Sequence, residues 1–215
     1  MQLFVSWSGG KDCMLALYRV LQEKEHKVLH LINMCEADGE HSRSHGMSKH
    51  LIANQALSIG IDIMQPASDF KSYEIQFKEA IGQLKKKGIS GGVFGDIYLK
   101  PHRDWIERVC SEMDVQPFFP LWGNSTVELV YEFIHAGFKT IVVSVNSEYL
   151  PQSWLGRDID KKFVNDITIL KDIDPCAENG EYHSFVYDGP IFKTPVVFSS
   201  GKEYFKDNHW YLALG

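Results

Sequence analysis

Leu3-Phe4-Val5-Ser6-Trp7-Ser8-Gly9-Gly10-Lys11-Asp12-Cys13-Met14 decides the reading of this chain. An apolar run continues to Trp7 and meets two glycines. Met14, Leu17, Tyr18 and Leu21 then fall at i, i+3, i+4 and i+7, one face of a helix. A buried strand therefore turns tightly into a helix. The two glycines let the backbone bend and approach a ligand, with successive N–H groups pointing inward. The helix N-terminus adds the positive end of its dipole, and Lys11 adds a full charge. This is an anion cradle, expected at the carboxyl end of a parallel strand, where open α/β sheets bind ligands. Asp12 would repel phosphate unless a cation lay between them, so it either caps the helix or helps to hold Mg²⁺. The loop matches neither G-x-x-x-x-G-K-[ST] nor G-x-G-x-x-G, which excludes Walker-type and dinucleotide-type readings.

Outward from the loop, strand and helix patterns alternate. Val28–Met34 is a second apolar run, residues 36–46 are a polar loop, and a helix is predicted over about 47–58. Ile61, Ile63 and Met64 suggest a short third strand, followed by a helical face at Tyr73, Phe77, Ile81 and Leu84. Gly91–Gly95 is assigned as a fourth strand by its place between two helices, since propensity alone does not support it. Pro101 opens a helix with Trp105, Ile106, Val109, Cys110 and Met113 inward, and Ser125 with Glu128 forms a capping-box pattern. Thr140–Val145 is a further β-branched strand. Repeats of this kind predict an α/β fold, a parallel sheet with helices on both faces and right-handed crossovers. From Pro151 the pattern changes to a helix (about 160–170), strand-like pieces at 184–187 and 195–198, and a hairpin turning at Asp207-Asn208. The expected organisation is a nucleotide-binding domain over 1–150 and a small mixed α+β region over 151–215, whose hairpin edge offers a place for a second subunit.

The chain has 215 residues, a net charge of −6, 44% hydrophobic and 23% charged residues, the profile of a soluble globular protein. That balance disfavours a dominant electrostatic grip on nucleic acid, and no apolar run is long enough to span a bilayer. Met1-Gln2-Leu3 lacks a basic n-region and reads as a first strand rather than a signal peptide. Cys13, Cys35, Cys110 and Cys176 form no C-x-x-C pair, so reduced thiols in a cytoplasmic protein are expected. His41, His45 and His50 do not share one helical face, so no zinc site is expected there.

Other residues join the candidate site by topology. Asp96 follows the fourth strand at the sheet edge that carries the glycine loop, where it caps a turn or handles Mg²⁺ and pyrophosphate. Asn33 and Met34, ending the second strand, are candidates for an adenine pocket. Arg103, in the first turn of its helix, is either a bidentate phosphate ligand or a solvated charge. Glu178 and Glu181 flank an Asn179-Gly180 turn; two carboxylates there either hold a cation, serve an amine nucleophile, or form an exposed acidic turn. Trp105, Trp122 and Trp154 read as packing residues.

Ser8–Asp12 after a strand resembles the PP-loop of the N-type ATP pyrophosphatases, written SGGKDS, with Cys13 in place of the final Ser. Gly95-Asp96-Ile97, His102-Arg103, Pro120-Leu121-Trp122-Gly123, Ser153–Arg157 and Glu178–Phe185 follow in order. The series resembles the diphthine–ammonia ligase family over essentially the full length. Ala177 stands where that family often has Gly. The resemblance implies a Rossmann-like (HUP-type) fold, ATP and Mg²⁺ as cofactors, and cleavage of ATP to AMP and pyrophosphate. It further implies ligation of ammonia to a carboxylate, that of diphthine on elongation factor 2. The site so implied has Lys11, Asp12, Asp96, Glu178 and Glu181 in catalysis, with Asp12 and Asp96 on the metal. With Asn33 and Met34 added by topology alone, the expected nucleotide contacts are Ser8, Gly9, Gly10, Lys11, Asp12, Cys13, Asn33, Met34, His45, Gly95 and Arg103. Three alternatives stand at this point: a PP-loop enzyme acting on tRNA, a nucleotide-binding protein without turnover, and a related enzyme with another carboxylate acceptor.

Overall fold

The structure, a computed structural model, describes residues 1–43 and 46–215. The first half alternates as expected: β1 (Gln2–Ser6), α1 (Lys11–Glu23), β2 (Lys27–Ile32), α2 (Lys49–Ile59), β3 (Asp62–Met64), α3 (Tyr73–Lys85), β4 (Gly91–Val93), α4 (Lys100–Glu112) and β5 (Gln116–Phe118). These strands form one parallel sheet in the order β3-β2-β1-β4-β5, so the chain reverses direction across the sheet between β1 and β4. β4, between β1 and β5, is glycine-rich because its neighbour needs the room. A Cβ on Gly92 would lie 2.4 Å from the Phe4 ring.

Two differences from the sequence reading have physical causes. The three-residue β5, not foreseen, contains Pro117, which is tolerated only at a sheet edge. Gln116 N bonds Ser90 O and Phe118 O accepts from Phe94 N, so Pro117 faces outward and offers no N–H to a sixth strand. The next strand, β6 (Lys139–Asn146), accordingly leaves the parallel sheet. It joins β7 (Tyr182–Asp188), β8 (Ser200–Lys206) and β9 (His209–Leu214) in an antiparallel sheet ordered β7-β6-β9-β8. The change of sheet thus falls between residues 118 and 139, ahead of the boundary expected at 150.

α5 (Thr126–His135), with Ser125 capping it through Glu128 N, and α6 (Lys161–Thr168) complete the second half. Residues 195–198 are irregular rather than a strand, though Val196 N still bonds Tyr187 O. Asp207 and Asn208 both have positive φ, 50° and 61°, matching the twist of the hairpin they turn. One apolar cluster runs from β1, α1 and α2 into β6, β7 and α6, fusing both sheets, while a second lies under α3 and α4. This fusion brings β7 against the β1–α1 loop. Among the described residues, no helix is long and apolar enough to cross a membrane.

Candidate active site

A cleft of about 690 Å³ opens at the carboxyl edge of the parallel sheet. One wall is the β1–α1 loop with Ser8, Asp12 and Cys13; another is the β4 end with Gly95 and Asp96. Met34 contributes from the end of β2, and the C-terminal turn Ala177–Gly180 closes the far side. Gly9 holds φ at +84°, where a Cβ would meet Ile52 Cδ1 at 2.5 Å. At Gly95 a Cβ would lie 2.8 Å from Cys13 N, so the first turn of α1 sits directly on the end of β4. Only glycine permits either approach.

The loop is held from behind by residues distant in sequence. Gln55 of α2, fully buried, accepts from the Trp7 indole N–H (2.7 Å) and donates to the carbonyls of Gly9 (2.9 Å) and Val186 (2.6 Å). Ser184 Oγ accepts from Lys11 N, and Ser8 Oγ accepts from Gly10 N, each at 3.3 Å. Two N–H groups of the expected cradle are therefore already bonded within the protein. Gln55 and Ser184 were not foreseen as site residues. The available signal for Gln55 was a polar residue on the stripe Leu51, Ile52, Ala56, Ile59; nothing local marked Ser184.

Lys11 does not line the cleft. Its ammonium turns beneath the loop and donates to Asp12 Oδ2 (3.0 Å) and to the Cys176 carbonyl, lying 5.0 Å from the Tyr182 ring centroid. Burial pulls its pKa down, but Asp12 and its other neighbours reverse this, and the ammonium is held well above its ordinary value. It stays charged and bonds the loop to the C-terminal turn. Ser8, Asp12, Cys13, Met34, Gly95, Asp96 and Glu178 do come together around the cleft.

Asn33, Arg103 and Glu181 do not. Asn33 is 1% exposed; its amide donates to Trp7 O and Ser42 Oγ, and its carbonyl accepts from Gln65, so it ties loops together. Arg103 lies over Phe119 and Trp122, 4.8 and 4.6 Å from the ring centroids, and pairs with Glu107 on its own helix. Glu181 is fully buried: Oε1 accepts from Asp174 N (2.8 Å) and Asn179 Nδ2 (3.1 Å), and Oε2 accepts from Asn179 N (3.1 Å). Its carboxylate is occupied in shaping the turn that presents Glu178. His45 lies outside the described residues.

Glu178 faces the cleft and accepts from Ile97 N at 3.2 Å. Burial first, then the nearby Asp12, push its carboxyl up to about 7. Burial raises Asp96 as well, opposed by His102, whose Nδ1 is 3.6 Å from Asp96 Oδ1. Ala177, beside Glu178, has φ +58°, a conformation in which an alanine is strained and a glycine is not. The described lining holds three carboxylates, Asp12, Asp96 and Glu178, and neither Lys nor Arg. A polyphosphate entering such a cleft requires a cation between itself and these groups. Among the described residues no three His, Cys, Asp or Glu side chains converge as a ready-made metal cage. Mg²⁺ suits this donor set, because it takes one or two carboxylates and completes its shell with water and substrate phosphate.

A parallel sheet in this strand order, with a strand–glycine loop–helix turn at its carboxyl edge, defines a PP-loop, ATP-binding type of α/β protein. Within that class the chain belongs to the diphthamide synthase family. Residues 1–117 match the model of the diphthamide synthase N-terminal domain, and residues 125–214 that of the C-terminal domain. Proteins named diphthine–ammonia ligase are similar to it: that of Mus musculus is 29% identical, with 91% of this chain and 82% of that one aligned. The Homo sapiens protein is 26% identical over the same shares of the two chains, 91% and 82%. Against the Bos taurus protein the alignment takes in 55% of this chain and 45% of that protein, at 27% identity. The relatives are ligases by name, which makes this an ATP-utilising, C–N-forming ligase family. The crystal structure of a predicted subunit of tRNA methyltransferase from Methanocaldococcus jannaschii is 17% identical, with a TM-score of 0.47, covering 88% of this chain and 98% of that one.

Proposed function

We propose that this chain is an ATP-dependent ligase that adenylates a carboxylate, releases pyrophosphate and passes the acyl group to ammonia, with diphthine on elongation factor 2 as its acceptor. The observation that carries this reading is the meeting of the glycine loop, Asp12, Asp96 and Glu178 in one cleft free of Lys and Arg lining. Ser8, Gly9, Cys13 and Gly95 flank the phosphates and Met34 the nucleoside. Asp12 and Asp96 hold Mg²⁺, which when bound neutralises charge on the departing pyrophosphate. The acceptor carboxylate attacks the α-phosphorus, forming the acyl–O–P bond as pyrophosphate leaves. Lys11, beneath the loop, keeps the N-terminal end of α1 positive without touching substrate. Ammonia then forms the C–N bond, AMP departs with its oxygen, and Glu178 accepts the surplus proton of the attacking nitrogen.

A carboxyl raised to about 7, by burial first and by Asp12 next, suits that transfer, because it is basic enough to take a proton. Four unpaired, buried cysteines accord with a cytoplasmic location. The test is a reaction of purified chain, ATP, Mg²⁺, ammonium and diphthine-bearing elongation factor 2. AMP and pyrophosphate in equal amounts, with one acceptor OH replaced by NH₂ in the mass spectrum, are expected. Formation of ADP, or nucleotide cleavage that ignores both acceptor and ammonium, would overturn the reading.

A further inference from the structure

Tyr98 has no part in the reaction above, yet it follows directly on Ile97, whose N–H holds the Glu178 carboxylate. The residue is 41% exposed, but its hydroxyl is engaged: it donates to Asp174 Oδ2 at 2.6 Å, across 76 residues of chain. Two neighbouring residues of the β4–α4 loop therefore hold the C-terminal turn at two points, Tyr98 at Asp174 and Ile97 at Glu178. Asp174 carries the hold into the turn. Its Oδ1 accepts from Cys176 N, and its own N–H donates to Glu181 Oε1, each at 2.8 Å. Ile97 is a firm base for both contacts, being fully buried with its carbonyl accepting from Gly123 N at 2.8 Å.

The two contacts differ in kind. The bond from Ile97 N to Glu178 is 3.2 Å, the long end for an N–H donor, and it draws strength from the charge of the carboxylate it meets. Once Glu178 carries the proton of the attacking nitrogen, that charge is gone and the bond weakens. The Tyr98 bond, short and also made to a carboxylate, is untouched by this change. Partial burial first, then Asp174, push the Tyr98 phenol above its ordinary value, so it remains a donor at neutral pH. We propose that Tyr98 is a positioning residue, a latch on Asp174 that keeps the Glu178 turn over the cleft while ammonia attacks. That ammonia attacks there rests on the ligase reading; that Tyr98 holds the turn does not.

Tyr98→Phe removes the hydroxyl alone, at an exposed position, and so spares the packing of the ring. In the full chain without ligands, amide hydrogen exchange at Cys176 and Asn179 is expected to quicken about tenfold, with α1 and β4 unchanged. With ATP, ammonium and acceptor, kcat for amide formation should fall about tenfold while KM for ATP stays within about twofold. Pyrophosphate should then exceed amide, because an acyl-adenylate kept waiting for ammonia is lost to water as carboxylate and AMP. Adding Tyr98→Phe to Asp174→Ala should slow amide formation no further, since the latch is already open. Wild-type exchange in the turn overturns the proposal, as does an undiminished rate of amide formation or a cost that adds in full to that of Asp174→Ala. An equal loss of ATP affinity also overturns it, by moving the hydroxyl to the nucleotide side. Faster exchange in the variant, where wild type itself forms no amide, keeps the latch and rejects the ligase reading.

Discussion

The Ser8–Cys13 loop and the Asp174–Ser184 segment close the same cleft by opposite means. The path of the loop is set by its backbone, with Gln55 and Ser184 bracing it from behind: a strand enters, a helix leaves, and Gly9 and Gly95 allow contacts that no Cβ would permit. The segment has no regular structure before β7. Its shape comes from side chains bonding main chain, with Glu181 accepting two backbone N–H groups, Asp174 Oδ1 accepting from Cys176 N, and Tyr182 OH donating to Pro175 O. Lys11 joins the two. A loop fixed by glycines can be read from residue types, whereas a turn fixed by its own carboxylates hides which of them is free to act.

The sharpest way to break this comparison is to cut the bond between the regions. Lys11→Met leaves Asp12 unpaired and the Cys176 carbonyl without its ammonium, a loss of roughly 1–3 kcal/mol, because Lys11 is buried but Asp12 faces the cleft. The melting temperature should fall by roughly 5 °C and pyrophosphate release should cease. A variant with wild-type melting would show that the loop and the segment do not depend on one another.

Glu178→Gln should do the reverse, sparing the fold and removing the proton acceptor. Turnover with ammonia is expected to fall by about 10²–10⁴ with ATP binding retained. At fixed free ammonia, the wild-type rate should rise as pH passes about 7, and the variant should lose that limb. Stability carries the same signature with its sign defined. A carboxyl raised in the folded state favours the fold while protonated, so its contribution is present at acid pH and lost as pH rises through about 7. Wild type should therefore lose more melting temperature than Glu178→Gln between pH 6 and pH 8. Parallel melting curves would take Glu178 out of the acidic cleft.

How far these roles were legible depends on how local their causes are. The β1–α1 turn, the helical stripes of α1, α3 and α4, and the Asp207-Asn208 hairpin rest on periodicity and turn chemistry, and all formed. The register of β6 was not local: Pro117, outward-facing on an edge strand, ends the parallel sheet, and that orientation depends on pairing with β4. In the site, Asp12, Cys13, Gly95 and Asp96 were placed together by sheet topology. Glu178 and Glu181 looked equivalent across Asn179-Gly180, and only the tertiary hydrogen bonds from Ile97, Asp174 and Asn179 separate them. Arg103 stays open in the sequence between a phosphate ligand and a solvated charge, because the rings it covers, Phe119 and Trp122, lie a whole strand away.

Glu181→Gln sharpens the comparison within the segment. Glutamine keeps the size of the side chain but presents an NH₂ toward a donor, so at least one buried bond is lost at roughly 1–3 kcal/mol. A melting temperature lowered by about 2–10 °C is expected, with ATP affinity unchanged and turnover reduced by displacement of Glu178. If turnover collapsed as in Glu178→Gln while the fold kept its stability, Glu181 would have a chemical role that its burial denies.

The smallest effect belongs to the one unusual residue of the loop. Cys13 Sγ donates to the Gly10 carbonyl at 3.3 Å and lies 3.5 Å from Ser8 Oγ, both contacts internal to the loop. A serine hydroxyl can make the same bonds and is the stronger donor, so Cys13→Ser should change ATP affinity by about fivefold at most, within about 1 kcal/mol. Burial pushes the Cys13 thiol above its ordinary pKa, and a protonated thiol is a poor nucleophile. Iodoacetamide should therefore label Cys13 in the folded chain far more slowly than a free thiol, and ATP should change that rate little. Rapid labelling that matched the loss of pyrophosphate release, together with an inactive Cys13→Ser, would make the thiol a chemical participant. The loop would then owe its function to a side chain after all, and the contrast with the C-terminal turn would no longer hold.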